Sequence, residues 1–185
     1  KKRIVKVART KSTVMIYGET GTGKELVARA IHNGGSRKNK RYLSQNCAAI
    51  PENLLESILF GTTRGSFTGA ENRPGLFEIA SGGTLFLDEI NSMDLAVQAK
   101  ILKAIEEQKI RRIGGTEDIL IDVRIIAATN EDPLLCMQRG SLREDLYYRL
   151  KVVQLNIPPL RNRKEDIRPL TEYYINFYNT VMGKS

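Results

Sequence analysis

Short apolar runs and segments of helical periodicity alternate along most of the chain. STVMIY at 12–17 predicts a β-strand that ends at the glycines directly after it. RYLSQNCA at 41–48 predicts a second strand. TLFLDEI, from Thr84 to Ile90, is almost continuously apolar, which is typical of a strand buried on both faces of a parallel sheet. Between the first two strands, a helix is indicated by four apolar residues with helical spacing: Leu26, Val27, Ala30 and Ile31.

A second helix and a hairpin are predicted after TLFLDEI. Ser92 or Asp94 can cap the helix, because either side chain can accept a hydrogen bond from a free N–H of the first turn. The apolar stripe of this helix is Val97, Ile101, Leu102 and Ile105. KIRRIGGTEDILIDVR at 109–124 has two alternating runs around Gly114 and Gly115, a pattern that predicts a β-hairpin.

Two further buried strands are predicted by VRIIAATN at 123–130 and VVQLNI at 152–157. Strands that alternate with helical segments favour an α/β sandwich with a largely parallel sheet, whose ligands bind at the carboxyl ends of the strands. Pro158 and Pro159 end this pattern. TEYYINFYNTVMGKS at 171–185 predicts a helix that begins a second unit.

Composition narrows the class of protein. With 185 residues, 41% of them hydrophobic, one compact domain is the default expectation. Cys47 and Cys136 lack the spacing of a disulfide framework or a zinc site, which favours a reducing cytoplasm. No apolar run approaches the ~20 residues of a membrane span, so we expect a soluble protein without a membrane partner. The charge of +8 and SRKNKR at 36–41 allow nucleic-acid binding, but no aromatics are interleaved and a solvated loop is favoured.

GETGTGK at 18–24 has the full spacing of a Walker A phosphate loop and lies between a predicted strand and a predicted helix. Its glycines let backbone N–H groups surround phosphates, and Lys24 reaches the outer phosphates. The alternative, a tight turn with a surface lysine, leaves the structural context unexplained. The candidate nucleotide-binding residues are Gly18, Glu19, Thr20, Gly21, Thr22, Gly23, Lys24 and Glu25, with Asp88.

The acidic pair Asp88 and Glu89 ends the TLFLDEI strand. Asp88 is suited to organise a magnesium ion and its waters, and Glu89 to polarise the water that attacks the γ-phosphate of ATP. Alternatively, the two carboxylates only cap the following helix. Glu25 stands where the loop usually has a Ser or Thr that helps to hold magnesium, so Asp88 with Thr22 or water is the predicted magnesium neighbour.

Five segments together resemble the central AAA+ ATPase domain of the sigma-54-dependent transcriptional activators, the bacterial enhancer-binding proteins. They are GETGTGKE, RGSFTGA, GLFEIASGGTLFLDEI, LREDLYYRL and IPPLRNRKEDI, and the resemblance covers essentially the whole chain. A glutamate after the Walker lysine is usual in that family. The resemblance implies a P-loop NTPase (AAA+) three-layer sandwich. It also implies an ATP-driven ring, usually a hexamer, that remodels RNA polymerase bound to sigma-54 so that promoter DNA opens.

The resemblance also implies roles for single residues. Asn46 matches the asparagine that holds the catalytic glutamate, here Glu89, in an idle position, and Asn130 matches the sensor that positions the attacking water. Arg143 and Arg149 match arginine fingers that reach a neighbouring subunit's ATP. A surface helix with ordinary Asp/Arg pairs is the alternative for the two arginines.

The family's loop that contacts sigma-54 reads GAFTGA. It corresponds here to Gly65, Ser66, Phe67, Thr68, Gly69 and Ala70, with Ser66 in place of the family's alanine. Two glycines around Phe67 and Thr68 indicate a mobile tip that exposes an aromatic ring. An ordinary turn with a core phenylalanine is the alternative.

The resemblance divides the chain into an α/β ATPase subdomain at 1–160, with the contact loop at 61–73, and the start of a helical lid at 161–185. Most of the lid, a regulatory domain and the helix-turn-helix that binds promoter or enhancer DNA are expected outside this chain. Two rival functions are another AAA+ machine, such as a helicase or clamp loader, and a regulatory module that binds ATP without useful turnover. GSFTGA argues against the first, and Glu89 with Asn130 against the second.

Overall fold

A parallel sheet of five strands organises residues 2–183, the part of the chain that the computed structural model describes. In chain order the strands are β1 Val14–Tyr17, β2 Tyr42–Asn46, β3 Gly61–Thr62, β4 Arg73–Pro74, β5 Thr84–Asp88, β6 Lys109–Ile110, β7 Ile119–Leu120, β8 Arg124–Thr129 and β9 Val153–Asn156. The helices are α1 Lys2–Ala8, α2 Lys24–Asn33, α3 Glu52–Phe60, α4 Leu76–Ile79, α5 Leu95–Glu107, α6 Pro133–Gln138, α7 Glu144–Leu150 and α8 Ile167–Met182. The large sheet has the order β2-β5-β8-β1-β9, and all of its neighbouring strands run parallel.

Alternate residues of the central strands face two separate cores, as the pleat of a strand requires. Met15, Leu85 and Ala127 belong to the larger core, which also holds buried side chains of α3, α5 and α7. Ile16 and Phe86 belong to the smaller core, beneath α1 and α2. The central strands β1, β5 and β8 are therefore buried on both faces, whereas β9, predicted to be buried, is an edge strand and mostly only partly buried. The predicted α/β sandwich with a parallel sheet is confirmed.

The helix after the phosphate loop is confirmed as α2, but its buried face differs from the predicted stripe. Lys24, Ala28 and Ile31 are buried at spacings of four and three residues, whereas Leu26 is 69% exposed. The loop sets the register of this helix, because Lys24 at its first turn faces inward. Leu26 and Ala30 consequently point outward.

The cap of α5 is Asp94, whose side chain accepts a hydrogen bond from the Ala96 N–H at 3.0 Å. The predicted hairpin is also confirmed, since β6 and β7 pair antiparallel. The basic run at 36–41 is mostly exposed turn. Its Arg37 is anchored by a hydrogen bond of 2.8 Å to the Gly83 carbonyl.

The predicted C-terminal helix is present as α8, and none of its residues is buried. Its assignment to a lid, and the division of the chain at residue 160, stay predictions. Lys1, Lys184 and Ser185, the outer ends of the two predicted units, lie outside the described residues. Within the described range, no helix is both long and apolar enough to span a membrane.

The segment between α3 and α4 begins at β3 and ends at β4. These two short strands pair antiparallel at its base and are called the neck here. Gly61 pairs with Pro74 there, and Gly75 lies so close that a Cβ on it would stand 2.3 Å from the Gly61 nitrogen and the Phe60 carbonyl carbon. The adjoining hairpin also supports the neck: the Ile113 N–H donates to the Gly61 carbonyl at 2.9 Å. Only glycine fits at position 75, because two backbones meet there.

We expect Gly75→Ala to destabilise the domain by roughly 2–3 kcal/mol, because the added methyl group meets backbone atoms that cannot rotate away. Gly69→Ala is the control, since Gly69 has φ +82° and open space around the position of a Cβ. That change should cost about 1 kcal/mol of backbone strain. Urea unfolding measures both values, and an equal or smaller cost for Gly75→Ala would contradict the close neck.

Candidate functional site

The carboxyl ends of the parallel strands bring the predicted chemical groups to one edge of the sheet. Gly18 follows β1, Glu89 follows β5 and Asn130 follows β8. Asn46 lies directly beside Asp88 in the register of β2 and β5, and the Gly18 N–H donates to the Thr129 carbonyl at 3.3 Å. Residues that are more than a hundred positions apart in sequence therefore form one cluster.

The phosphate loop has the backbone that its glycines predict. Gly21 and Gly23 have φ values of +81° and +92°, in the left-handed region that disfavours other residues. Gly18 is confined differently, because a Cβ there would stand 2.8 Å from both the Ile157 carbonyl oxygen and the Thr22 hydroxyl oxygen. The loop consequently presents backbone N–H groups at the start of α2, an arrangement suited to anions.

Lys24 is buried to 6% exposure, and its ammonium group donates to the carbonyl oxygens of Gly18 at 3.0 Å and Glu19 at 3.3 Å. The Thr22 hydroxyl also donates to the Glu19 carbonyl, at 2.8 Å. Glu25, by contrast, is exposed and pairs with Arg29 one turn further along α2, at 3.1 Å. Lys24 and Thr22 thus face the interior of the loop, whereas Glu25 lies on the helix surface, and its predicted role at the nucleotide stays a prediction.

Asp88 and Glu89 have different environments. Burial raises the pKa of the Asp88 carboxyl, although the positive charge of Lys24 opposes this shift. Glu89 has φ +56° and ψ +49°, a left-handed conformation that costs a residue with a side chain about 1–2 kcal/mol. Such strain is concentrated at functional sites. Asp94 caps α5, and Glu89 precedes the short 3-10 turn Ile90–Ser92 without a side-chain cap hydrogen bond, so helix capping does not account for the acidic pair.

The two predicted asparagines have different partners. The Asn46 side-chain oxygen accepts from the N–H groups of Ala48 at 2.9 Å and Ala49 at 3.1 Å. No hydrogen bond between Asn46 and Glu89 is recorded in the described part of the chain, so their pairing stays a prediction. Asn130 lies at the site edge and accepts a hydrogen bond of 3.2 Å from the Asn91 amide. Asn91 was missed in the sequence because it lies outside every motif.

Arg143 and Arg149 lie at opposite ends of α7, at its N-cap position and in its last turn. The Arg143 guanidinium forms two hydrogen bonds to the Asp145 carboxylate, at 2.7 and 3.0 Å. The Arg149 carbonyl accepts from the Thr13 hydroxyl at 3.2 Å, which places Arg149 beside the start of β1. The phosphate loop follows the other end of β1, so the Arg149 backbone lies at the end of the sheet opposite the phosphate loop of the same chain.

The predicted contact loop projects from the neck with its aromatic residue exposed. Phe67 is 52% exposed, which excludes the alternative that it is a core residue. Gly65 and Gly69 on either side of the tip have φ values of +85° and +82°. The Ser66 hydroxyl donates to the Thr63 carbonyl at 2.9 Å, so the residue that differs from the family pattern is held within the loop itself. Its position as a partner contact stays a prediction.

Two arginines outside the predicted site residues approach the phosphate loop from the segment after β9. Arg161 forms an ion pair with the Glu19 carboxylate, with one nitrogen-to-oxygen distance of 2.8 Å, and holds the pKa of that carboxyl below its ordinary value. Arg163 donates to the Thr22 carbonyl at 2.8 Å. Both belong to IPPLRNRKEDI, a segment that carries the resemblance but was given no residue roles.

Comparison with known proteins decides the family. The family model described as the Sigma-54 interaction domain matches residues 1–156. The chain belongs to this family. It is 60% identical over 174 residues to the transcriptional activator RocR of Bacillus subtilis, covering 94% of this chain and 38% of RocR. This sigma-54 interaction domain thus spans well under half of that relative.

Solved structures agree with this family and with the fold. NtrX of Brucella abortus in complex with ADP superposes with a TM-score of 0.91 at 40% identity, over 98% of this chain and 40% of NtrX. Its complex with ATP gives 0.88, also at 40% identity, over 96% and 40%. The P-loop NTPase domain of an E. coli sigma-54 activator gives 0.57 at 18% identity, over 86% and 92%, which supports the fold alone. The chain is an AAA+ P-loop NTPase domain, and the predicted family and fold class are confirmed.

Asp88→Asn should raise the melting temperature of the ligand-free sigma-54 interaction domain near neutral pH. Because the folded pKa of Asp88 lies above its ordinary value, ionisation of this carboxyl destabilises the fold, and the variant's gain should disappear as the pH falls through that pKa. The same variant should lose the part of ATP-dependent stabilisation that requires Mg²⁺. In the wild type, ligand at 100 times its Kd adds about 2.7 kcal/mol in total.

Asp118→Asn is the matched control, because its hydrogen bonds with Arg111 and Lys109 hold the pKa of the Asp118 carboxyl at about 2. Loss of the Asp118 charge should lower the melting temperature near neutral pH, opposite in sign to the effect of Asp88→Asn. It should leave the part of ATP-dependent stabilisation that requires Mg²⁺ unchanged. Thermal melts at several pH values, with and without Mg²⁺ and ATP, measure both variants. A lower melting temperature for ligand-free Asp88→Asn would contradict the desolvation argument.

Proposed function

We propose that this domain hydrolyses ATP within a ring of identical subunits and uses the energy to remodel RNA polymerase bound to sigma-54, so that promoter DNA opens. One observation carries the proposal: a glycine cradle with Lys24 and the acidic pair Asp88 and Glu89 lie at the same sheet edge. A phosphate loop with a lysine, together with acidic residues at the end of a neighbouring strand, is typical of P-loop proteins that hydrolyse ATP. NtrX, at 40% identity, has been solved with both ADP and ATP.

The residues of the loop suit the phosphates of ATP. The N–H groups around Gly21 and Gly23 and the start of α2 bind negative charge, and Lys24 exchanges its two carbonyl partners for phosphate oxygens. Asp88 is the protein carboxylate for Mg²⁺, with Thr22 or water beside it. The hard oxygens of Asp88 and Thr22 fit Mg²⁺, which takes most of its other ligands from phosphates and water.

Glu89 acts as the base that orients and polarises the attacking water, and Asn130 fixes the position of that water. The Asn91 amide holds the Asn130 oxygen, which leaves the Asn130 NH₂ group free to face the water. Asn46 lies beside Asp88 in the sheet, within one residue of Glu89, which suits a switch that holds Glu89 idle.

Arg143 and Arg149 act on the nucleotide of the adjacent subunit in the ring, which we propose is a hexamer. The Arg149 backbone lies at the end of β1 opposite the phosphate loop of its own subunit, which supports action in trans. An arginine finger contributes a factor of ~10³ to 10⁵ to kcat, so turnover depends on assembly.

The contact loop is the part that binds sigma-54. Phe67 is an exposed aromatic residue at the tip of this loop. The neck of the loop is hydrogen-bonded to the hairpin at Ile113, so a displacement of the neck also displaces the tip. Residues 161–185 begin a lid, and a helix-turn-helix outside this chain binds promoter or enhancer DNA. We place this activity in the cytoplasm, where sigma-54 and its polymerase transcribe DNA.

Substitution of Arg143 or Arg149 by Ala should leave ATP affinity within a few-fold but lower turnover by ~10³, because each arginine acts on a neighbour's site. Mixing either variant with Glu89→Gln should restore part of the activity. In such a ring, the intact site of one subunit meets the intact finger of the other. Steady-state ATPase assays at several mixing ratios measure this, and no recovery at any ratio would rule out action in trans.

Phe67→Ala should abolish binding to sigma-54 in the presence of an ATP transition-state mimic, while basal ATPase activity stays nearly intact. A buried aromatic at the centre of an interface contributes about 2 kcal/mol or more. Ser66→Ala is the control, because it removes only the hydrogen bond to Thr63 and restores the family residue; its sigma-54 binding should be unchanged or slightly stronger. Native gels or analytical ultracentrifugation measure the complex. Loss of ATPase activity by Phe67→Ala would refute the assignment of the loop as a separate contact element.

A further inference from the structure

Gln98 is a polar residue on the apolar face of α5, next to the buried Val97 and one turn before the buried Ile101. It is completely buried, with 0% exposure. A buried amide without hydrogen bonds costs several kcal/mol, so its partners show why the fold keeps it. Neither the phosphate loop nor the acidic pair of the site requires a glutamine at this place.

The Gln98 side chain joins α5 to the turn before it and to the segment before α7, through three hydrogen bonds of 2.9 Å. Its NH₂ group donates to the carbonyl oxygens of Met93 and Ser141, and its oxygen accepts from the backbone N–H of Arg143. The reverse orientation of the amide would point its oxygen at two carbonyls. The orientation is therefore unique, and a residue without both donor and acceptor cannot replace it.

Arg143 benefits most from these bonds. It is the N-cap residue of α7, with extended backbone angles of φ −68° and ψ +134°, and the helix gives its N–H group no partner. Gln98 supplies that partner and also holds Ser141, two residues earlier. The backbone position from which the Arg143 side chain extends is consequently fixed from α5.

We propose that Gln98 is a positioning residue for Arg143, and through it for hydrolysis at the neighbouring subunit's ATP. This inference rests on the proposed action of Arg143 in trans. A competing effect within the same subunit is possible through Met93, which ends the turn Ile90–Ser92 directly after Glu89. The two routes differ in which subunit's active site Gln98 serves.

Gln98→Met tests the inference, because methionine has a similar volume and no side-chain hydrogen bond to offer Arg143. ATP affinity should stay within about 3-fold of the wild type, since every group placed at the phosphates is retained. Turnover should fall by at least 10-fold, because Arg143 loses its fixed backbone. Ile101→Ala is the stability control, because it truncates a buried side chain of the same helix and should lower the melting temperature at least as much as Gln98→Met does.

Each variant is assayed below its melting temperature. Under that condition, Ile101→Ala should keep turnover within about 2-fold, so that a fall confined to Gln98→Met reports on position rather than on general loss of stability. An equal fall in both variants would overturn the inference.

Mixed rings then separate the two routes. Gln98→Met mixed with Glu89→Gln should recover ATPase activity, because the intact site of the first subunit meets the intact finger of the second. Gln98→Met mixed with Arg143→Ala should not recover, because neither subunit then offers a working finger. Recovery only with Arg143→Ala would show that Gln98 serves its own site through Met93, and recovery with both or with neither would also overturn the inference.

Arg143→Ala mixed with Glu89→Gln is the reference pair. If this pair fails to recover, the proposed action of Arg143 in trans has itself failed, and the inference about Gln98 falls with it. If the reference pair recovers but Gln98→Met does not follow the expected pattern, only the role of Gln98 is refuted.

Discussion

Parallel pairing of buried strands is the constraint on which the site depends. Because β2, β5, β8, β1 and β9 all run in one direction, their carboxyl ends meet at one edge and deliver Gly18, Glu89 and Asn130 to the same place. A parallel sheet needs helices on both faces, and these helices bury the central strands β1, β5 and β8 while the edge strands stay partly exposed. The apolar residues of TLFLDEI thus also serve the chemistry, because their burial fixes the end of β5, with its two carboxylates, at the edge of the apolar core.

The site also contains conformations and charges that do not favour folding. Asp88 is partly desolvated, Lys24 is buried against carbonyl oxygens, and Glu89 has a left-handed backbone. Natural proteins keep such features where the chemistry requires them and stabilise them with the surrounding structure. Here the two apolar cores on either side of the sheet supply that stability.

The sequence predicted the elements and the phosphate loop well, because buried strands, glycine turns and the Walker spacing are local patterns. It predicted the stripe of α2 less well, since the inward direction of Lys24, rather than hydropathy, sets which residues are buried. Asn91, Gln98, Arg161 and Arg163 were missed for another reason. Their roles come from contacts with distant segments, and their own neighbours in sequence carry no signal of those contacts. Gln98 had one visible clue, a polar residue inside an apolar stripe.

The ion pair between Arg143 and Asp145 has a consequence for how subunits meet. In the proposed hexameric ring, a guanidinium that already holds a carboxylate would approach the adjacent subunit as a nearly neutral group, so the six arginines would repel one another less. Phosphate oxygens at the proposed trans site would compete with Asp145 for this guanidinium, so engagement of the proposed finger would exchange one anion for another. Such an exchange depends on the charge of the incoming phosphates. If Arg143 acts in trans as proposed, it would therefore bind the more highly charged triphosphate of a neighbour in preference to a diphosphate.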